Sequence, residues 1–121
     1  MTDKTNAEAE FMDFVDTRPL ILCATVCFGV YNNDEERLQN TRLLNLGYTE
    51  EDYLVFLESL NQTYDAGYGG QNMFGNIWFE DGSWAERGEY DGAEWWSHKQ
   101  CPVIPLELAK TRVNKINDLL T

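Results

Sequence analysis

A chain of 121 residues has room for one hydrophobic core, and with 43% hydrophobic and 13% aromatic residues it can fill that core, which separates it from acidic disordered tails. Its 21 acids against 9 bases leave a net charge of −12, a field that repels nucleic acid and anionic membrane and draws cationic partners. An odd count of three cysteines, Cys23, Cys27 and Cys101, behind a polar acidic opening, points to a reducing cytoplasm, and the longest apolar run, Leu20 to Val30, falls short of the roughly 20 residues of a membrane span.

Taken in chain order, residues 1–10 lack apolar periodicity and read as a flexible arm, tethered behind by Phe11, Met12, Phe14 and Val15. Leu20 to Tyr31 is nearly continuous in apolar character and reads as a strand buried on both faces, although a run of this kind does not by itself distinguish strand from buried helix. "DEERLQNTRLLNLG" predicts a helix with acids in its first turn and Gly47 at its C-cap, on a ragged apolar stripe. "TEEDYLVFLESLNQTY" predicts a second helix, with Thr49 as N-cap and Tyr53, Phe56, Leu57, Leu60 and Tyr64 at spacings of three and four.

"DAGYGGQNMFG" is a loop by its glycines, and it lacks the spacing and basic context of a phosphate cradle. From Phe74 to Cys101 short strands are punctuated by Asp81-Gly82 and Asp91-Gly92, both hairpin signals, giving a three-stranded antiparallel meander. Pro102 and Pro105 stop the sheet. Leu106, Ala109, Val113, Ile116 and Leu120 then form a helical stripe, with Lys110, Arg112 and Lys115 off it. The expected architecture is one α+β domain over 1–121: the meander at about 74–101 and a buried strand at about 20–31, packed on two or three helices.

With two-residue turns at both Asp-Gly pairs, Phe79 opposes Trp84, Trp78 opposes Ala85, Tyr90 opposes Ala93, Glu89 opposes Glu94 and Arg87 opposes Trp96. One face then gathers Ile77, Phe79, Trp84, Tyr90 and Trp95 as the core side. The other gathers Asn76, Trp78, Arg87, Glu89, Glu94, Trp96 and His98, and is the expected partner-binding patch, with Arg87 stacked on Trp96. The competing reading is that a helix covers this second face and both its tryptophans are core. A three-residue turn with a glycine bulge would shift opposition by one and mix the faces.

Cys23, Cys27, His98 and Cys101 make a formal Cys3His set for zinc, but residues four apart on a strand lie about 13 Å apart, so no metal is expected unless Leu20–Tyr31 is helical. His98 and Cys101 are an odd step apart, as are Glu86 and Glu89, so neither pair shares a strand face. The expectation is a protein that is not an enzyme, with no cofactor.

The motifs Tyr64-Asp65, Gly67-Tyr68-Gly69, Phe74-Gly75, Trp78, Asp81-Gly82, Trp84, Arg87-Gly88-Glu89-Tyr90-Asp91-Gly92 and Glu94-Trp95-Trp96 resemble a group of short acidic proteins encoded by bacteriophages. The likeness covers residues 64–105 and extends weakly to "YTEEDYLVFLESL". It transfers no catalytic or binding residue. It implies a phage protein made in the host cytoplasm, and small acidic phage proteins commonly inhibit restriction, CRISPR and related defences, some as nucleic-acid mimics. The leading expectation is a protein that binds and inhibits a host protein with a basic surface, without contacting nucleic acid or membrane directly. The alternatives are a binder or sequesterer of a signalling nucleotide or sugar, with Gly67–Gly70 as a lid, and an accessory structural subunit that forms homo-oligomers.

Overall fold

The computed structural model describes residues 4–29, 33–65 and 71–108. In chain order the elements are β1 (Lys4–Asn6), α1 (Ala7–Val15), β2 (Ile21–Phe28), α2 (Asp34–Gln39), β3 (Thr41–Leu44), α3 (Glu50–Ser59), β4 (Thr63–Asp65), β5 (Met73–Phe79), β6 (Trp84–Tyr90) and β7 (Ala93–Lys99). The class is α+β: an antiparallel five-stranded sheet in the order β3-β2-β5-β6-β7, with a two-stranded β1-β4 sheet beside it.

The apolar run at 20–31 is a strand, with one buried face. Ala24, Val26 and Phe28 alternate into the core while Cys23, Thr25 and Cys27 face away, half-buried. The register against β5 shifts between Ile21 and Cys23. This irregularity lets Ile21 join the core despite its odd spacing from Ala24, and it leaves Leu22 outside.

Met73, Ile77 and Phe79 from β5, Ala85 from β6 and Trp96 from β7 continue the same inner face. Helices α1 and α3 cover it. Phe11 of α1 meets Phe56 of α3 edge to face at 5.5 Å and Trp96 at 5.9 Å, the geometry that aromatic quadrupoles favour. Helix α3 starts where the capping signal placed it: Thr49 Oγ1 accepts from the Asp52 N–H, and Asp52 accepts from the Thr49 N–H. Thr49→Ala is therefore expected to lower stability by about 1 kcal/mol, read from the urea midpoint.

Three expectations are corrected. The arm at 1–10 is structured from Lys4 onward: β1 pairs with β4, Asn6 caps α1 by accepting from the Ala9 N–H, and Ala7 is fully buried. The partner that orders it, Thr63–Asp65, is remote in sequence and invisible to local periodicity.

The helix expected over 34–47 ends at Gln39, and Thr41–Leu44 becomes β3, paired with Ala24–Cys27. Its ragged stripe left Leu38, Leu43 and Leu46 with no common face to bury, while the edge of β2 offered unpaired backbone groups. The Thr41 hydroxyl marks the switch by donating to the Arg37 carbonyl at 2.6 Å.

The first hairpin turn has three residues instead of two. The Phe79 N–H bonds the Ser83 carbonyl, the Gly82 N–H bonds the Phe79 carbonyl, and Gly82 takes φ of +88°, which is a turn closed by a glycine bulge. The Asp81 carboxylate holds it by accepting from both the hydroxyl and the N–H of Ser83, bonds that keep this acid below the usual carboxylate range. Trp78 therefore opposes Trp84 and Ile77 opposes Ala85, one step from the expected pairing. The second turn is the expected two-residue one: Asp91 and Gly92 both have positive φ, and Arg87 opposes Trp96.

The segment Gly67–Gly70 and the helical stripe beyond Leu108 lie outside the described residues. No helix among the described residues is long and apolar enough to cross a membrane.

Gly75 on β5 lies against the backbone of β2 and under the Trp96 ring. A Cβ there would sit 2.5 Å from the Thr25 carbonyl oxygen and 2.9 Å from the Trp96 ring. Since the first obstacle is backbone, Gly75→Ala is expected to cost about 1–3 kcal/mol, measured by denaturant unfolding.

Candidate functional site

The register change sorts the expected patch onto two sides of the sheet. Arg87, Glu89, Glu94, Trp96 and His98 do share one face, but it is the inner one, beneath α1. Trp78 belongs to the outer face. Asn76 goes with it, so the seven are not one surface, and the helix-covered alternative holds for Trp96.

On the inner face the Arg87 side chain is 1% exposed and lies between two carboxylates. Its Nη1 is 3.2 Å from Glu10 Oε1, and its Nη2 is 3.5 Å from Glu94 Oε1 and donates to the Tyr64 hydroxyl at 2.8 Å. Tyr64 in turn donates to Glu10. The Glu94 side chain, 0% exposed, also accepts from the backbone N–H groups of Asn72 and Met73 at 2.7 and 3.0 Å. The guanidinium stacks on Trp96, 5.1 Å from the ring centroid, as the second turn's register predicted.

This network ties α1, β4 and the entry to β5 onto the β6–β7 hairpin. Glu89, at the exposed end of β6, accepts from the Gly92 N–H, so the like-charge pair of Glu89 and Glu94 is separated by different partners. His98 is exposed and touches the edge of Phe79 at 5.6 Å.

Burial pushes the Tyr64 phenol far above its usual value, helped by the hydrogen bond to Glu10 and opposed by Arg87. A raised folded value means that the stability from neutral Tyr64 is fully present below the unfolded value of about 10 and is lost as pH climbs toward the folded one. Alkaline unfolding followed by circular dichroism should therefore be less steep above about pH 10 in Tyr64→Phe than in the wild type.

The outer face is built differently. Trp78 is flanked by Cys23 on β2 and Trp84 on β6, and Phe74 opposes Cys27. Trp95 lies on Gly88, where a Cβ would come within 2.6 Å of the indole, so that glycine is the seat of the ring. Trp78 is 43% exposed, Trp95 41% and Phe74 37%, with Tyr90, Leu22 and Leu43 exposed around them. Between the two aromatic ends runs a polar row of Thr25, Asn76, Glu86 and Ser97. Lys99 sits 4.0 Å from Glu86, an exposed pair worth little.

The central row of this face thus carries a single acid, Glu86, with Lys99 beside it, although the chain is strongly acidic, and Asp34, Glu35 and Glu36 belong to α2 at its border. There a cavity of about 590 Å³ opens between α2 and the sheet, with Thr25, Cys27, Arg37, Phe74 and Asn76 in its wall.

Sequence reasoning assigned Trp84, Trp95 and Tyr90 to the core, and the shifted register turns them outward. Glu10 and Tyr64 were not linked to Arg87, since 77 and 23 residues separate them and no local pattern carries such a pairing. The zinc alternative does not assemble: Cys23 and Cys27 are on the outer face of a strand, Cys101 lies past β7, and no group of three His, Cys, Asp or Glu residues among those described could hold an ion. Compared with protein families, curated proteins and solved structures, the chain matches none.

Proposed function

We propose that this protein is a non-enzymatic binding module that docks a protein partner on the outer face of its sheet. The carrying observation is the set of half-exposed rings Trp78, Trp84, Trp95 and Phe74 on one face, around a polar row whose only acid, Glu86, is offset by Lys99. Interface cores are enriched in aromatic rings and depleted of charge, and binding energy concentrates in such anchors. The acidic surroundings, with a net charge of −12, favour a partner whose apolar pocket has a basic rim. The resemblance to phage-encoded acidic proteins supports a host target, and a defence protein inhibited by occlusion is the reading that joins charge, size and face.

The test is capture from bacterial lysate with tagged wild type and with Trp78→Ser/Trp95→Ser. One specific protein should be retained by the wild type, lost with the double variant and released progressively by salt. Equal recovery by both proteins would remove the outer face from the proposal.

The cavity beside α2 favours a second reading, a small ligand with a ring against Phe74 and polar groups toward Asn76, Thr25 and Arg37. Native mass spectrometry of protein taken directly from cells decides it, a bound mass supporting this reading and a clean apo mass opposing it.

A further inference from the structure

The five-stranded sheet has two edges, and they are guarded differently. At one, β3 is only four residues long and stands beside α3, where Arg42 donates to the Ser59 carbonyl at 3.2 Å. At the other, β7 runs seven residues without a proline or a break in register, and no described strand pairs with its far side. Of the usual guards of an edge, prolines, bulges, lysines and inward charges, β7 has Lys99 at its very end and Glu94, whose carboxylate is already held by Arg87, Asn72 and Met73. In the β6–β7 hairpin the turn bond joins Tyr90 to Ala93 and bonded pairs then alternate, so the N–H and C=O groups of Glu94, Trp96 and His98 point away from β6. Glu94 shows it: its side chain is 0% exposed and the whole residue 7%, so the part that meets water is backbone.

The inner side of this edge ends in a notch. A cavity of about 270 Å³ lies between Glu10, Asp13 and Phe14 of α1 and Trp96 of β7. That is below the roughly 300–1,000 Å³ of small-molecule sites and suits one long side chain. Its rings attract cations, since Arg87 lies over Trp96 and Arg18 over Phe14. Its acids are incompletely matched: Glu10 meets Arg87, while Asp13 is exposed and has no ion pair among the described residues.

We infer that the edge of β7 takes an extended segment of a partner protein as a further strand, with a lysine or arginine beside Trp96 in the notch and apolar residues on either side of it next to Trp95. The inference rests on the reading of this chain as a protein-binding module and adds the partner's chemistry. Backbone bonds to Glu94, Trp96 and His98 hold the segment, and side chains alternating between the two faces select it. The residue level with Trp96 faces inward to the notch, and its two neighbours face outward, where Trp95 borders the apolar face. A second copy fits less well: its β7 would bring Glu94, Trp96 and His98 to the inner side, with no lysine or arginine, on a body of the same net charge of −12.

The test uses the full chain and a capped nine-residue peptide that alternates threonine and valine, with lysine in the central threonine position. One comparison peptide carries glutamate at the centre. Another is N-methylated on the lysine and the nearest threonine on each side, whose N–H groups would face β7. The lysine peptide should slow amide exchange at Glu94, Trp96 and His98 at least about tenfold, leaving Trp95 and Ser97, which bond β6, unchanged. Both comparison peptides should bind at least about tenfold more weakly. Asp13→Lys, at an exposed position that spares the core, should reverse the preference between lysine and glutamate peptides.

Unchanged exchange at the three edge amides overturns the proposal, as does equal binding of the lysine and glutamate peptides. So does protection of those amides in the protein alone: constant on dilution, it gives the edge to the chain itself, and growing with protein concentration, to a second copy. If the peptide fails while Trp78→Ser/Trp95→Ser still loses its lysate partner, the edge falls and the outer face stands.

Discussion

Replacing Arg87 with methionine is expected to lower the unfolding free energy by about 3–5 kcal/mol, the cost of breaking a buried ion pair from one side. The side chain would keep its bulk beside Trp96, but Glu94, 0% exposed, would retain only the N–H groups of Asn72 and Met73, and Tyr64 would lose the donor that faces it. Urea unfolding of the single variant, of Glu94→Gln and of the double variant separates the pair energy from the cost of the stranded carboxylate, because the double variant leaves no buried charge unpaired at that contact. A double variant no more stable than Arg87→Met would show that the guanidinium matters for packing and not for charge. The same substitution should loosen the chain around Asn72, visible as faster amide exchange at Asn72 and Met73, whose N–H groups both point at Glu94.

Trp96→Ala is expected to cost about 3–5 kcal/mol, whereas Trp78→Ala and Trp95→Ala should each change stability much less. Trp96 is 6% exposed and held among Phe11, Phe14, Arg87 and Gly75, so its removal opens a cavity beneath α1. The two outer rings are over 40% exposed and leave little void. Partner binding should show the reverse order. Under the proposed function each outer ring is expected to act as a hot spot, its truncation weakening affinity by about 2 kcal/mol, close to 30-fold, without moving the thermal midpoint far. Thermal unfolding beside a titration with the captured partner gives both quantities. If the two outer variants bind as the wild type does, the outer face is not the interface.

These two predictions fall on opposite sides of one sheet, and a single residue of register decides which tryptophan belongs where. Local chemistry in the chain was sufficient for several elements. The β-branched and apolar run at 21–28 made a strand, and the reciprocal Thr49–Asp52 bonds started α3. Asp91-Gly92, with positive φ at both positions, set the second hairpin and with it the stacking of Arg87 on Trp96. Each depends on residues within a few positions of one another, where backbone conformation and side-chain hydrogen bonds act directly.

The first turn is just as local, but its two competing lengths are told apart only in the folded hairpin, and tertiary packing decided the rest. Asp81 bonding to Ser83 added one residue to the first turn, and because side chains alternate with a period of two, that residue moved Trp84 away from Phe79 and opposite Trp78. Burial then followed from which face α1 and α3 could cover with Phe11, Phe56 and Leu57, and the partners of Arg87 came from Glu10 and Tyr64, far along the chain. Sequence alone determined the α+β class and the second hairpin's register, since both are short-range. Which tryptophans stand on the outside was decided by long-range packing, because a face is inner or outer only relative to what covers it.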